Sequence, residues 1–258
     1  MVTLIWALAG LVFGSFANVC IYRIPKGMSI ARPPSHCPVC GNKLTPVELV
    51  PVLSWLWQKG RCRQCASRIP VRYPVVELAS CLLFLMALGR FGLTWEMLCW
   101  SAFFWLLLVM SCIDMAHMVI PDVLLAVAVI CWTPLATQTF LHNRAWQDLL
   151  PSLYGALAGG GSLLVVLLAC LLLFRREGLG WGDVKLMGVA GLYLGLENTV
   201  VALFAGIYTG AVVALVMLAL KRWKRGMAIP FGPFLAVGVI VGAMCGQGIV
   251  HWYLGLMG

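Results

Sequence analysis

The chain has 258 residues, of which 62% are apolar and only 10% charged, with a net charge of +9. A soluble domain carries roughly 25% charged residues, so an ordinary water-soluble fold is excluded, and there is room for about seven to nine membrane helices of ~20 residues each. In such a chain the excess of Lys and Arg belongs first to membrane orientation, and nothing in the charge is left that calls for nucleic acid.

Taken in order, the segment Met1 to Tyr22 has no charged leading region and no small-residue cleavage site. It reads as a retained first membrane helix, residues 1–22. Residues 23–72 then form the one sizeable polar insert, with nine basic residues against a single acid, Glu48. It contains Cys37-Pro38-Val39-Cys40 and Cys62-Arg63-Gln64-Cys65, with 21 residues between the pairs. Each Cys-x-x-Cys sets two thiolates on one knuckle, and two knuckles supply the soft ligands of a tetrahedral Zn²⁺. Gly41 suits a tight turn after the first pair, and Arg61 and Arg63 offset the charge of a four-thiolate centre. Redox chemistry is the weaker reading of two matched pairs on the cytoplasmic side. Because cysteine fills all four positions, the zinc is structural and contributes folding energy, with no open position for a hydrolytic water. The other seven cysteines are scattered through apolar runs and read as small buried hydrophobes.

Residues 73–258 read as a seven-helix membrane core. Counting the first helix, apolar runs fall at about 1–22, 74–89, 94–113, 119–137, 150–174, 186–198, 199–220 and 229–255, giving about eight spans in an all-α polytopic fold. The sixth is short and carries Gly188, Gly191 and Gly195, so it is expected to be tilted, recessed or partly re-entrant. With eight spans, sixteen of the eighteen basic residues share one side, and the opposite side receives only Arg90 and Arg144. That side is the cytoplasmic one, and both termini are expected outside.

Two polar interruptions stand out in the core: Ile113-Asp114 running to Ile120-Pro121-Asp122, and Gly180-Trp181-Gly182-Asp183-Val184-Lys185. An ionisable group near membrane depth costs several kcal/mol unless compensated. Asp114 and Asp183 are expected at the cytoplasmic ends of different spans, with Asp122 one to two turns deeper. Glycines on either side of Trp181 allow close backbone approach before Asp183. A carboxylate and a carboxylic acid brought together can hold a water, with one drawing its proton and the other donating to a developing oxyanion. That is aspartic-type peptide hydrolysis. The residues alone leave two other readings open: helix caps or ion pairs with Lys185, Arg175 or Arg176, and a proton or ion pathway. His117 is the one histidine near these acids and reads equally well as an interfacial side chain. No Ser-His-Asp order, Gly-x-Ser-x-Gly elbow or His-Glu-x-x-His motif is present.

At these residues the chain resembles the bacterial type IV prepilin peptidases, bifunctional leader peptidases and N-methyltransferases. The resemblance rests on Gly14-Ser15-Phe16-x-Asn18-Val19 running to Arg23-x-Pro25, and on the two cysteine pairs with Glu48-Leu49-Val50-Pro51 between them. It continues through Tyr73-Pro74-x-x-Glu77, Asp114, Ile120-Pro121-Asp122 and Gly180-x-Gly182-Asp183-x-Lys185. Ala17 stands where many members have a larger residue. The resemblance implies that Asp114 and Asp183 are the catalytic pair of an endopeptidase acting at the cytoplasmic face of the bacterial inner membrane. The implied substrates are prepilins or pseudopilins, whose short basic leader is removed after glycine. The implied second step methylates the new N-terminus, usually phenylalanine, from S-adenosylmethionine. Anionic lipid headgroups, Glu48 and Glu177 are candidates to offset the basic surface that meets a basic leader. A second copy of the chain is an open option as partner. For methyl transfer the residues give no independent signal, and Gly14 to Pro25 is the best candidate for one wall of a cofactor pocket. A proton-coupled transporter or a non-catalytic assembly subunit are the alternatives; the former calls for midplane carboxylates and internal repeats.

Overall fold

The computed structural model describes residues 1–143, 146–174, 179–221 and 229–256. Its long helices are α1 (Val2–Arg23), α3 (Arg72–Phe91), α4 (Trp95–His117), α5 (Asp122–Asn143), α6 (Leu150–Phe174), α7 (Trp181–Ala219) and α8 (Gly232–Gly255), with a short α2 (Leu53–Trp57) inside the polar insert. All seven long helices are apolar enough to cross a membrane. Large side chains such as Leu4, Leu172 and Phe204 point outward, which suits hydrocarbon and not water. The chain divides into two compact units, Met1–Val109 and Met110–Gly258. Arg144, Arg175, Arg176, Glu177, Arg222, Lys224 and Arg225 lie outside the described residues.

In the first unit α1 and α3 run antiparallel in close contact. A β-carbon at Gly10 would stand 2.7 Å from Cys81 Cα, and one at Gly14 would stand 2.6 Å from Glu77 Cα. Small residues at four-residue spacing let the two backbones meet, which is how helices pack where burial of apolar surface gives no drive. Trp105 of α4 fixes the outer side of α1 by donating its Nε1–H to Phe13 O at 2.8 Å and stacking on Phe16.

The second unit is built around a reversal within α7. Gly195 has φ +70° and ψ 177°, a conformation open essentially to glycine. Gly159 of α6 abuts both Met187 and Thr199, which would be ~18 Å apart on an unbroken helix. The chain therefore doubles back at Gly195 into two antiparallel legs. Gly155, Gly159 and Gly160 of α6 receive the first leg, while Gly238, Gly242 and Gly246 of α8 receive the second against Ala202, Gly206 and Asn198. The expected sixth and seventh segments are thus both present, joined by one residue and not by a loop. The first leg, Trp181 to Leu194, is ~21 Å long, short of the ~30 Å hydrocarbon core.

Two boundaries differ from the sequence reading. The short leg begins at Trp181 and not at Leu186, so Asp183 lies within its first turn. The fourth span begins at Asp122, which is therefore the exposed first residue of α5 and not one to two turns deep. Pro121 explains the second shift: it cannot continue a helix inward from residue 119, but it suits the start of one.

If the reversal depends on Gly195, Gly195→Ala should destabilise the purified protein by about 1–3 kcal/mol. Gly161→Ala, where a β-carbon meets nothing within 4 Å, should be silent. Thermal unfolding in detergent compares the two; equal midpoints would mean that the turn does not need glycine.

Candidate active site and zinc centre

Asp114 lies in the last turns of α4 and is only 6% exposed. Its Oδ2 accepts the backbone N–H of Gly232 at 3.0 Å. A β-carbon at residue 232 would stand 2.7 Å from that oxygen, so only glycine lets the amide approach the acid. Pro233 follows at the first turn of α8, where its missing N–H costs nothing. Asp183 is 7% exposed, and its Oδ2 accepts the N–H of Gly180, the residue that opens α7, at 3.3 Å. Gly182 faces inward against Ile120, whose Cβ would be 2.9 Å from an added β-carbon. Ile120 also touches the position of Gly232. One apolar side chain is thus wedged between the glycine beside Asp183 and the glycine that holds Asp114. The segments that carry the two carboxylates thus meet across Ile120.

Each acid sits at the end of its own helix, but the neighbouring helices run on past the pair. Val184 and Gly188 face Gly160 of α6, and α6 runs on to Phe174. Gly232 opens α8 beside Asp114, and Phe231 and Phe234 pack at Gly210 of α7, whose second leg continues to Ala219. Both neighbours therefore extend ~14 Å or more beyond the level of the acids. The sequence boundaries place both acids at the ends of their own helices, as the structure does; they do not show that adjacent helices continue past them.

The ion-pair reading is answered in part. Lys185 pairs with Asp122, at 2.8 and 3.0 Å to its two oxygens, with both side chains largely exposed. An exposed pair of this kind contributes about 0–1 kcal/mol. His117 is exposed at the end of α4. Gly232 and Ile120 were missed as site residues; the run Pro230-Phe231-Gly232-Pro233, a glycine held between prolines at a helix start, was the available signal.

The insert forms a second polar centre. The sulfurs of Cys37, Cys40, Cys62 and Cys65 all lie within 4.8 Å of one another. Cys37 Sγ and Cys65 Sγ are 3.8 Å apart, the separation of two thiolates each ~2.3 Å from one tetrahedral zinc ion. The two knuckles repeat the same turn: Gly41 N–H bonds Cys37 O, and Ala66 N–H bonds Cys62 O, each at 2.9 Å. Gly41 and Ala66 both have positive φ, +71° and +55°. Backbone N–H groups of Cys40 and then Val39 pull the Cys37 thiol down to about 6, while, against the N–H of Asn42, desolvation and the neighbouring sulfurs push Cys40 up to about 11. Ser67 Oγ lies 3.1 Å from Cys65 Sγ and 3.7 Å from Cys37 Sγ. The donor set and spacing fit zinc.

Polar groups also gather where α1 and α3 meet the insert. Asn18 is 3% exposed and donates to Gly14 O and Tyr73 O, while its Oδ1 has no hydrogen-bond partner. Arg23 donates to the carbonyls of Ser29, Ile30 and Pro33. Glu48 is taken up by Thr45, whose N–H and Oγ–H it accepts at 2.9 and 2.8 Å.

Residues 8–91 match the model of the bacterial peptidase A24 N-terminal domain, and residues 101–215 match that of the type IV leader peptidase family. The chain is 34% identical to a prepilin leader peptidase/N-methyltransferase of Pseudomonas aeruginosa, over 97% of this chain and 93% of the relative. It is 35% identical to a protein of the same name from Bacillus subtilis, over 95% of each. The chain belongs to the type IV leader peptidase family. In this leader peptidase homologue the second matched segment carries both Asp114 and Asp183, and the first carries all four clustered cysteines. No solved structure matches.

Two outcomes are expected. Gly232→Ala should reduce precursor cleavage by about 10²-fold or more while the protein still inserts, because Asp114 must move from its donor. Zinc should be found at one per chain; elemental analysis giving less than about 0.2 without chelators would count against the four-cysteine site.

Proposed function

We propose that the protein removes the short basic leader of type IV prepilins or pseudopilins and then N-methylates the new terminus. Prepilin processing follows from membership of the family; the route and location are our reading. The observation that carries it is the recessed pair Asp114 and Asp183, two buried carboxylates on separate helices, each tethered by one backbone N–H.

Such a pair can share one proton and hold a water between its oxygens. The ionised member takes a proton from the water as the water oxygen bonds to the scissile carbonyl carbon. The protonated member donates to the carbonyl oxygen, and the tetrahedral adduct collapses as the leaving nitrogen receives a proton. Neither metal nor covalent intermediate is needed. The short first leg of α7 supports this reading, since it sets the acids below the ends of their neighbours, where the hydrophobic segment of a precursor would lie. Orientation follows the positive-inside rule: insert and acids face the cytoplasm of the bacterial inner membrane, with both termini outside.

The zinc, held by Cys37, Cys40, Cys62 and Cys65, cross-links the insert and takes no part in hydrolysis. For methyl transfer, Asn18 and Arg23 offer the best wall, since the buried Asn18 Oδ1 lacks a donor that an amine or amide would supply. S-adenosylmethionine would provide an electrophilic methyl there, and the chain's task is to hold an unprotonated α-amine in line with it.

Asp114→Asn and Asp183→Asn should each lower cleavage by about 10²–10⁴-fold in folded protein, while Asp122→Asn, which loses only an exposed ion pair, should cost little. Asp183→Asn should still methylate a synthetic peptide already ending in phenylalanine, whereas Asn18→Ala or Arg23→Ala should lower methylation more than cleavage. Labelled methyl transfer, run beside precursor cleavage for each variant, decides the matter. A tenth of wild-type cleavage in either dyad variant defeats the two-carboxylate route, and joint loss of both activities in Asp183→Asn defeats separate sites.

A further inference from the structure

The insert contains a backbone turn that its own sequence does not favour. Val52 has φ +62° and ψ −52°, and Leu53 N–H bonds Pro51 O across it at 2.6 Å. This is a γ-turn of the rare, strained hand, centred on a β-branched residue for which positive φ is a true outlier. Such a conformation persists only where its surroundings impose it. Within the insert Leu56 N–H bonds Val52 O at 3.0 Å, and one group reaches the turn from a membrane helix. Glu77 of α3, 7% exposed, accepts the N–H of Val52 at 2.7 Å and also meets the hydroxyl of Ser15 on α1. A bond from a backbone amide to a buried carboxylate is among the stronger kinds.

The turn sets the direction of the helix after it. Helix α2 starts at Leu53 and carries Trp55, whose Nε1–H bonds Ile69 O at 3.1 Å. Its ring covers Gly60, where a β-carbon would stand 2.9 Å away. Gly60 in turn bonds Trp55 O through its N–H and Ile69 N–H through its carbonyl. Those residues bracket the second knuckle, Cys62 to Cys65. A continuous run of contacts thus leads from a carboxylate in a membrane helix to one half of the cysteine cluster.

We propose that Glu77 is a positioning residue for methyl transfer: by holding Val52 in the γ-turn it sets the register of the zinc-bound insert on α1 and α3, beside Asn18. The role rests on the assignment of methyl transfer to this first unit. It requires no contact between Glu77 and either substrate.

The test uses the full-length protein in lipid nanodiscs, with Glu77→Ala, Glu77→Gln, Val52→Gly and the double variant Glu77→Ala/Val52→Gly. Hydrogen exchange of the peptide covering residues 50–57 reads the turn. Methylation of the pre-cut peptide, zinc content and precursor cleavage read the consequences. Glu77→Ala should expose the Val52 amide to exchange and raise KM for the methyl acceptor about tenfold or more, with zinc content and cleavage unchanged. Glu77→Gln, which keeps an acceptor, should recover part of the loss. Glycine adopts positive φ without help, so adding Val52→Gly to Glu77→Ala should restore most of the methylation.

Unchanged exchange in Glu77→Ala would overturn the proposal, as would faster exchange with methylation intact. Failure of Val52→Gly to restore activity would also overturn it, by showing that Glu77 contacts a substrate directly. Asn18→Ala and Arg23→Ala test the underlying assignment separately. If they spare methylation while the glycine rescue holds, the clamp stands and the wall assigned to Asn18 and Arg23 is wrong.

Discussion

Two carboxylates buried among apolar helices are costly unless backbone donors reach them, and much of the second unit is arranged around that constraint. In this unit the backbone N–H groups that reach the two acids come from residues without a β-carbon, which would crowd the carboxylate oxygen. Gly232 serves Asp114 in this way and Gly180 serves Asp183. Ile120 fills the space between, against Gly182 and the position of Gly232, and keeps the surroundings apolar. The same absence of side chains allows α6 and α8 to close on the two legs of α7. Glycine here serves packing and chemistry together, because one close approach fixes both the helix and the acid it carries.

The reversal at Gly195 extends this logic to depth. A helix that crossed the whole hydrocarbon layer would put its first turn at the interface. A leg of ~21 Å turned back by a single glycine leaves Asp183 inside the bundle, with α6 and the returning leg rising past it. The acids are 6% and 7% exposed, and a low-dielectric site strengthens interactions between charges within it.

The first unit solves a different problem. An insert of fifty residues, almost none of them buried, must hold one conformation next to a membrane helix pair. Arg23 binds the carbonyls of residues 29–33 from the end of α1, and Glu77 binds Val52 from within α3. Between these tethers the two knuckles bring four sulfurs to zinc spacing. Ala66 takes the left-handed position that Gly41 fills in the other knuckle, at a local cost that glycine does not carry.

Composition and spacing determined a good deal. The all-helical membrane class follows from hydrophobic run length, because each long run must satisfy its own backbone in lipid. The four-cysteine cluster follows from two Cys-x-x-Cys pairs, a local pattern whose chemistry hardly depends on the rest of the chain. Asp114 and Asp183 could be singled out because acids are so scarce in the apolar core. Absent from the sequence was anything that depends on two distant segments meeting. The pairing of Asp122 with Lys185 spans sixty-three residues, and the donor to Asp114 lies 118 residues away at Gly232. The recessed depth of the acids was hidden because a hydrophobic run reports length and not where a chain turns back. Val52 was hidden for the opposite reason: its local preference points away from the turn it adopts, and the buried carboxylate that binds its N–H lies twenty-five residues away at Glu77.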